Sequence, residues 1–457
     1  MELAGKQVVV VGLARSGIAA ARLCARRGAR VVATDRKTKE QLPAEALSLE
    51  REGVRLELGG HRRETLRQAA LVVVSPGVPS TLAELESARA AGVPVMAELE
   101  LGFLLLRGTV VAVTGTKGKS TTTAAIGAML REAGGDVRVG GNIGEALTGI
   151  VEGSTEATTF VLEASSFQLE GTETFRPHVA VFLNLSADHL DRHPSFEEYA
   201  QAKARIFRNQ TEDDWAVVNA DDPVVLGLAR ATRARKVAFH PLPSPPEIKA
   251  GAWFDGSAAR LRSDEGDQTL FDRGDVRLPG DHLASDLLAA ATAARLMGAT
   301  PEAIRRAVQG FAGVEHVLER VAEVEGVVFF NDSKATNVEA ARVSLEAFAG
   351  PLLPILGGRY KGGDFALLAP ALAARGKAVL AIGEATERIA EALSAVVPVL
   401  PCGSMREAVE RGFALAAPGD TVLLAPACAS FDMFEDYAAR GRAFKDEVRR
   451  LAGSGHG

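Results

Sequence analysis

At 457 residues the chain is too long for one hydrophobic core, and because domains hold roughly 100 to 200 residues, about three are expected. Its 47% hydrophobic and 24% charged residues are typical of a globular protein and exclude a disordered or collagen-like chain. The net charge of −6 argues against a nucleic-acid partner, since proteins that bind the phosphate backbone carry a basic excess. No apolar run reaches the roughly 18 residues that cross a bilayer, and no signal-peptide pattern precedes the first strand, so we expect a cytoplasmic protein.

Cysteines and lysines are few enough to be judged one by one. Cys24, Cys402 and Cys428 are odd in number, far apart and without CxxC spacing, so we expect buried thiols and neither disulfides nor a zinc site. Only 12 of the 52 basic residues are lysines. Because the chain is acidic overall, any phosphate site must depend on a few nearby basic groups, and each lysine is a candidate for such a site.

The first part of the chain predicts a Rossmann-like unit. A strand-like run, QVVVVG, leads into a glycine turn and a helical pattern, followed by the apolar run RVVATD (30–35). This order opens a parallel sheet. Another buried strand starts LVVVSPGVPS (71–80), and PVMAELELGFLLL (94–106) ends the unit with a linking helix. We therefore place the first domain at residues 1–97.

The middle of the chain repeats this alternation on a larger scale. A strand beginning at residue 109 runs into the glycine-rich sequence GTKGKST. Later strands are predicted within 157–165, 177–185 and 215–222. Prolines and short β-like runs between 240 and 280 predict a small antiparallel annex, after which 282–299 returns to a helical pattern.

The alternation starts once more near residue 314. Apolar runs followed by helical patterns occur within 327–337, 351–365, 377–385 and 420–434. The whole chain is thus predicted to be α/β with three domains. A central P-loop ATPase-like parallel sheet with its annex occupies residues 98–313, between the N-terminal Rossmann-like domain and a C-terminal one at 314–457.

The strongest chemical signal is GTKGKST, which lies between a predicted strand and a predicted helix. Backbone N–H groups of such a loop surround phosphate oxygens, and the helix N-terminus adds positive potential. Val113 stands where the full eight-residue motif has its first glycine, so the loop is a shortened variant. Lys119 can reach terminal phosphates and Ser120 or Thr121 can hold Mg²⁺. The loop predicts a nucleoside triphosphate site composed of Gly115, Thr116, Lys117, Gly118, Lys119, Ser120 and Thr121.

The first glycine turn, GLARSG, is a weaker signal. Ala14 replaces the middle glycine of the dinucleotide fingerprint, which disfavours a plain NAD site. Arg15 and Ser16 begin a helix and suit a diphosphate, while Asp35 ends the second strand, where an acid often contacts a ribose or base. A purely structural turn is the alternative.

Three more residues could serve the phosphate site. Glu163 ends a strand at the carboxyl edge of the predicted sheet, the usual position of a metal-holding acid. His189 follows the next strand and is expected at the same edge. Lys203 lies in the helical stretch EEYAQAKARIF, and that pattern by itself predicts a lysine on a solvated helix face. A strand-end capping acid and a surface histidine are the alternatives for the first two.

These residues belong to a longer series of motifs in all three units. In order they are GTKGKST, EASSFQLE (163–170), NLSADHLDRH (184–193), the helix with Lys203, NDSKATN (331–337) and PACASFDMF (426–434). The chain thereby resembles the Mur ligases of bacterial cell-wall synthesis, and within that family its D-glutamate-adding branch. SSFQLE, DSKATN and ACASFDMF discriminate best, because sister ligases and folylpolyglutamate synthases share the phosphate loop and the DH motif.

The resemblance implies an ADP-forming ligase that uses ATP to add D-glutamate to UDP-N-acetylmuramoyl-L-alanine, through an acyl phosphate, in peptidoglycan precursor synthesis. The implied partners are these small molecules, without nucleic acid or a membrane span, and a monomer is expected. The UDP substrate would be bound by Arg15, Ser16, Asp35, Arg36, Gly77 and Asn142. D-Glutamate would be bound by Lys334, Thr336, Lys361, Ser430, Phe431 and Tyr437.

For catalysis the resemblance implies ATP and two Mg²⁺ ions. Asp332 would lie near the ATP together with the phosphate loop. The implied metal-binding residues are Ser120, Glu163, His189 and Lys203. Lys119 is implied as catalytic with the last three, and Lys203 is implied to be carbamylated, which makes it an anionic oxygen ligand.

The chain departs from the family pattern at two places. His316 is followed by Val317 where the family has a phosphate-binding arginine, with Arg320 three residues on; and HLASD replaces the adenine-flanking HNxxN, so that Leu283 and Asp286 stand for the two asparagines. Two alternative functions stay open. One is a sister Mur ligase or folylpolyglutamate synthase that uses another amino acid, although the N-terminal βαβ unit disfavours the folate enzyme. The other is a catalytically inactive nucleotide-binding regulator.

Overall fold

The computed structural model describes residues 1–186, 188, 192–243, 250–263, 266–276 and 281–454. The chain forms two compact units, one of residues 1–275 with 285–309 and the other of residues 276–284 with 310–457. The first unit contains two sheets and the second contains one. In the described part of the chain, no helix combines the length and apolarity that a bilayer crossing requires.

The first sheet has five parallel strands in the order β3-β2-β1-β4-β5. Its elements are β1 (Gln7–Val11), α1 (Arg15–Arg26), β2 (Arg30–Asp35), α2 (Ala44–Ser48), β3 (Arg55–Leu58), α3 (Arg63–Arg67), β4 (Leu71–Val74), α4 (Ala83–Ala90), β5 (Val95–Ala97) and α5 (Glu98–Leu105). The valines of β1 are fully buried, because helices cover both faces of a parallel sheet. The strand order reverses beside β1, and ligands of open α/β sheets usually bind at such a reversal, here at the carboxyl ends of β1 and β4.

The second sheet of the first unit has nine strands in the order β14-β13-β12-β11-β10-β9-β6-β8-β7. Its first elements are β6 (Thr109–Thr114), α6 (Lys119–Glu132), β7 (Asp136–Gly141), α7 (Leu147–Ile150), β8 (Thr158–Glu163), α8 (Ser166–Glu170), β9 (Val179–Phe182) and α9 (Phe196–Ala204). The later elements are β10 (Trp215–Asn219), α10 (Pro223–Leu228), β11 (Arg235–Pro243), β12 (Gly251–Asp255), β13 (Ala258–Ser263), β14 (Gly266–Asp272), α11 (Asp281–Leu296) and α12 (Pro301–Gly310).

The annex predicted between 240 and 280 continues this sheet. β12 pairs parallel with β11, and only β13 and β14 are antiparallel to their neighbours. β6 lies between β8 and β9, so the segments that follow these three strands meet at one edge. That edge carries the phosphate loop.

The second unit contains a six-stranded sheet in the order β15-β16-β20-β17-β18-β19. Its elements are β15 (Glu319–Val324), β16 (Val327–Asn331), α13 (Val338–Glu346), β17 (Leu352–Gly357), α14 (Ala369–Arg375), β18 (Val379–Ile382), α15 (Thr386–Leu393), β19 (Val399–Cys402), α16 (Met405–Leu415), β20 (Thr421–Leu424) and α17 (Tyr437–Ser454). Only β15 is antiparallel. The predicted α/β class with three parallel-sheet regions is confirmed, and so are the three buried free cysteines. The domain bounds at residues 97 and 313 stay predictions.

Candidate active site

The phosphate loop connects β6 to α6 and depends on two glycines. Gly115 and Gly118 have φ angles of 152° and 82°, a region that side chains rarely adopt. A Cβ on Gly118 would lie 2.2 Å from an oxygen of Asp286. α6 begins at Lys119, so the first backbone N–H groups of the helix are available for anionic oxygens. The loop therefore has the geometry that the sequence predicts for a phosphate site.

Two residues that the sequence analysis did not single out hold this loop in place. The Asn184 side-chain oxygen accepts hydrogen bonds from the Thr116 and Lys117 N–H groups at 3.2 and 2.8 Å, and its amide donates to the Lys117 carbonyl at 3.1 Å. The Tyr199 hydroxyl lies 3.1 Å from the Thr116 hydroxyl. Both residues lie in quoted sequence stretches, but only the fold shows that they face the loop.

Glu163 connects the phosphate loop to the next segment of the sheet edge. The Ser120 hydroxyl donates to its Oε2 at 2.6 Å, and the Asn142 side-chain amide donates to its Oε1 at 2.7 Å. Arg15 donates to the Asn142 carbonyl at 3.0 Å. Glu163 is only 2% exposed. Four predicted site residues from both sheets of the first unit therefore form one hydrogen-bonded series.

Lys203 is buried beneath the loop, with 2% of its surface exposed. Its ammonium group donates to the Gly115 carbonyl at 2.7 Å and lies 4.8 Å from the centre of the Tyr199 ring. The expectation of a solvated helix face, drawn from the helical pattern alone, is wrong. Burial, assisted by the positive charge of Lys119, lowers the pKa of Lys203 to about 7. Burial therefore makes the neutral amine of Lys203 accessible near neutral pH.

Asp286 brings a carboxyl group to the other side of the loop. It is 7% exposed, and the close approach of its oxygens to Gly118 places it directly against the loop backbone. Burial raises the pKa of Asp286 to about 7, although Lys119 opposes that shift. Leu283, the other departure in this motif, is a buried apolar residue.

The first glycine turn is held in place by hydrogen bonds to the Asp35 side chain. Gly12 has a φ of 91°, and a Cβ on Gly17 would lie 1.8 Å from the Gly12 carbonyl oxygen. The Asp35 carboxylate accepts from the Leu13 and Lys37 N–H groups at 2.7 and 2.9 Å. Asp35 thus holds the turn and the end of β2 together.

Exposed predicted residues surround this turn. Arg15 and Arg36 are exposed, and Ser16 is half-buried at the start of α1. Gly77 is also exposed, and its carbonyl accepts from Arg192 at 3.1 Å. Arg192 donates to the neighbouring Val78 carbonyl at 3.0 Å as well, so a residue of the DHLDRH motif supports the SPG loop.

In the second unit, the predicted amino-acid residues follow three adjacent strands. Lys334 and Thr336 come after β16, Lys361 after β17, and Ser430 with Phe431 after β20. Lys334 and Lys361 are exposed, Phe431 is 63% exposed, and Ser430 is buried. Tyr437 begins α17, with its ring edge-on to His316 at 6.2 Å.

Two positions remain: Asp332, which is predicted to lie near the ATP, and Val317, which replaces the arginine of the family. The buried Asp332 carboxyl group accepts from the Ser344 hydroxyl and, at 3.3 Å, from the Leu318 N–H. Burial raises the pKa of Asp332 to about 6. Arg320, the arginine nearest to Val317, pairs with Glu323. His189 lies outside the described residues.

Together, the fold and the phosphate loop are those of an α/β nucleotide-binding protein, and in the second unit the predicted amino-acid residues follow neighbouring strands of one sheet. Three family models cover most of the chain: the MurD-like N-terminal domain of Mur ligases at residues 6–97, the Mur ligase middle domain at 113–294, and the Mur ligase glutamate ligase domain at 318–428. The chain belongs to the Mur ligase family, as its motifs predict.

Curated relatives match along the full length. The chain is 47% identical to the UDP-N-acetylmuramoylalanine--D-glutamate ligase of Acidobacterium capsulatum, over 98% of this chain and 97% of that one. It is 44% identical to the ligase of the same name from Desulfosudis oleivorans, over 100% and 99% of the two chains.

Solved structures share the fold at lower identity. UDP-N-acetylmuramate-alanine ligase MurC from Thermotoga maritima matches with a TM-score of 0.59 and 19% identity, covering 98% of this chain and 100% of that one. MurF ligase from the same organism, in complex with ADP, matches with a TM-score of 0.58 and 18% identity, covering 99% and 97%. Both confirm the fold.

Proposed function

We propose that this Mur ligase uses ATP to join D-glutamate to UDP-N-acetylmuramoyl-L-alanine. The observation that carries the proposal is the phosphate loop with Glu163 and the buried Lys203 at one sheet edge. The curated relatives, which match over nearly the whole chain, bear the name of this reaction. ATP and UDP-linked precursors are intracellular metabolites, which supports a cytoplasmic enzyme.

The residues present fit Mg²⁺ at the phosphate loop. Within the described residues, no group of three or more His, Cys, Asp or Glu side chains could hold a metal ion. Mg²⁺ does not need such a group, because it commonly binds one or two carboxylates together with substrate phosphates and water. The Ser120 hydroxyl and the Glu163 carboxylate, 2.6 Å apart, are hard oxygen donors of this kind. Bound there, Mg²⁺ would neutralise phosphate charge.

A second Mg²⁺ is part of the proposal and requires Lys203 to change. An amine is a poor ligand for Mg²⁺, whereas a carbamate supplies oxygen atoms. The neutral amine attacks CO₂, a C–N bond forms, and one proton is released to give the carbamate anion. The buried position and the pKa of about 7 make the amine available for this step. His189 is proposed as the other ligand.

The first chemical step is phosphoryl transfer to the substrate. An oxygen of the L-alanine carboxylate attacks the γ-phosphorus, the bond to the bridging oxygen breaks, and ADP leaves with an acyl phosphate formed. Amides at the start of α6 and the Lys119 ammonium stabilise the charge on the transferred oxygens. Glu163, held by Ser120 and Asn142, keeps the loop in register with the sheet.

The second step forms the amide. The D-glutamate amine attacks the acyl carbon, a proton leaves the nitrogen, and inorganic phosphate departs. In the proposal, Lys334, Lys361 and Ser430 bind the two carboxylates of D-glutamate, with Thr336, Phe431 and Tyr437 completing the site. Two lysines suit an acidic amino acid because each offers a point charge to one carboxylate.

A substrate-dependent phosphate assay tests this function. With ATP, Mg²⁺ and UDP-N-acetylmuramoyl-L-alanine present, we expect phosphate release to rise at least about tenfold when D-glutamate is added, and L-glutamate to be inactive. A regulator without catalysis would release no phosphate with any amino acid. A sister ligase would release phosphate only with its own acceptor and amino acid, so repeating the assay with UDP-N-acetylmuramate and with UDP-N-acetylmuramoyl-L-alanyl-D-glutamate as acceptors identifies it.

A further inference from the structure

Arg440 is a buried cation outside every predicted site. It lies in the first turn of α17 and is 1% exposed. Its side chain has no ion-pair partner among the residues that the structure describes, and the titratable groups that favour its charge are Cys428 first and then the half-buried Asp432. Burying an arginine without a paired carboxylate is costly unless its N–H groups are satisfied. The hydrogen bonds of the guanidinium group therefore indicate the role of Arg440.

The guanidinium group bonds to the loops that follow three different strands. Its Nε and Nη2 donate to the Ser333 hydroxyl and carbonyl at 3.0 and 2.9 Å, after β16. Its Nη1 donates to the Cys428 carbonyl at 3.1 Å, after β20, and lies 3.5 Å from the Gly357 carbonyl at the end of β17. These three strands are neighbours in the sheet. Arg440 thus connects the loops after three neighbouring strands, at the carboxyl edge of the sheet of the second unit.

The same loops are also joined to one another by their backbones. The Ala427 N–H donates to the Ala335 carbonyl at 2.9 Å, and Arg359 and Ala429 exchange two backbone hydrogen bonds at 2.9 and 3.0 Å. Gly358 leaves no room for a side chain, since a Cβ would lie 2.2 Å from the Ala429 oxygen and 3.1 Å from Nη1 of Arg440. The contact region is close-packed around the guanidinium group.

Each of these loops carries a residue proposed to bind D-glutamate. Lys334 directly follows Ser333, Lys361 lies four residues after Gly357, and Ser430 lies two residues after Cys428. We propose that Arg440 is a positioning residue that fixes the relative placement of these three loops and so sets the affinity for D-glutamate. The inference rests on the proposed function for the identity of the amino acid.

Only an arginine matches this arrangement. Its planar fork offers five N–H donors in fixed directions, whereas a lysine ammonium offers three from one point. Burial lowers the pKa of Arg440 to about 10, so the group keeps its charge at neutral pH. A lysine at this position would keep a charge but could not reach acceptors on all three loops.

The test compares Arg440→Lys and Arg440→Met with the unaltered enzyme in the phosphate-release assay. We expect both variants to raise the KM for D-glutamate about tenfold or more, the usual effect of losing hydrogen bonds from a charged group. The KM values for ATP and for UDP-N-acetylmuramoyl-L-alanine should change less than about twofold. Arg449→Lys, on an exposed arginine of the same helix that pairs with Asp446, is the matched control and should change none of the three.

The outcomes distinguish a role of Arg440 in positioning the loops from an effect of its charge alone and from a general loss of protein stability. A normal KM for D-glutamate in Arg440→Lys would overturn the proposal, since charge alone would then suffice. An equal rise in all three KM values with a lower melting temperature would also overturn it, because that pattern signals general loss of structure.

A milder variant keeps the test decisive if the Arg440 variants fail to fold. Ser333→Ala removes the hydroxyl that accepts from Arg440 and donates to the Tyr437 carbonyl at 2.7 Å, but keeps the backbone contacts. We expect a two- to fivefold rise confined to the KM for D-glutamate, and an unchanged value would contradict the proposal. If the unaltered enzyme responds to no amino acid, the proposed function fails instead, so the two failures are distinguishable.

Discussion

Lys203 and Arg440 are both buried cations with no paired carboxylate among the residues that the structure describes, yet their pKa values differ. Lys203 has a protein acceptor in the Gly115 carbonyl and a repelling neighbour in Lys119, and its pKa falls to about 7. Arg440 is surrounded by carbonyl and hydroxyl oxygens of three loops, and burial lowers its pKa only to about 10. Burial penalises both charges, but only the arginine begins from a pKa high enough, and with enough acceptors, to remain charged.

The difference separates a reactive group from a structural one. A lysine that loses its proton near neutral pH becomes a nucleophile, which is what a reaction with CO₂ needs. An arginine that stays charged can only hold its acceptors in place. We therefore expect changes at Lys203 to affect the rate of the reaction, and changes at Arg440 to affect the binding of D-glutamate.

The largest expected effect follows from removing the amine. Lys203→Ala should lower kcat by about a thousandfold or more, because a group proposed to stabilise transition-state charge is lost. Added bicarbonate should not restore activity, since no amine remains to react. The measurement is the phosphate-release assay, with Lys236→Ala as control, an exposed lysine whose ammonium donates to the Thr232 carbonyl. Near-normal turnover in Lys203→Ala would refute both the carbamate and the catalytic role.

A smaller, reversible effect should follow from removing CO₂. Activity should fall in CO₂-depleted buffer and return when CO₂ is added. A pKa of about 7 makes roughly 90% of the Lys203 amine neutral at pH 8 but only roughly 10% at pH 6. At a fixed concentration of dissolved CO₂, recovery should therefore be severalfold faster at pH 8 than at pH 6. Activity that is unchanged by CO₂ removal at both pH values would contradict carbamylation of Lys203.

The smallest effect concerns Asp286, the departure beside the phosphate loop. With a pKa of about 7, its carboxyl group is mostly neutral at pH 6 and mostly charged at pH 8, and a charged carboxylate would repel the phosphates of ATP bound at the loop as proposed. Asp286→Asn should lower the KM for ATP about fivefold at pH 8, as expected for removing one nearby like charge, and change it little at pH 6. The exposed Asp213→Asn is the control. An equal effect at both pH values would exclude a role for the charge.

Much of the fold follows from local pattern, and the exceptions are instructive. The mostly apolar runs of β1, β6 and β20 are recognisable because strands buried on both faces contain few polar residues. β3 (RLEL) and β7 (DVRVGG) are edge strands with charged residues, and their mixed polarity gives no strand signal in the sequence. The annex was recognised by its turns, but its pairing with β11 required the structure.

By itself, the sequence determined the family, the phosphate loop and the order of the site motifs, because these depend on residues close together along the chain. The tertiary structure decided that Lys203 is buried, that Asn142 holds Glu163 and that Arg440 joins three loops. Those contacts connect residues 88, 21 and up to 107 positions apart. Ionisation and orientation depend on such distant neighbours, since burial and hydrogen bonding set the free energy of a charge, and no local pattern records either.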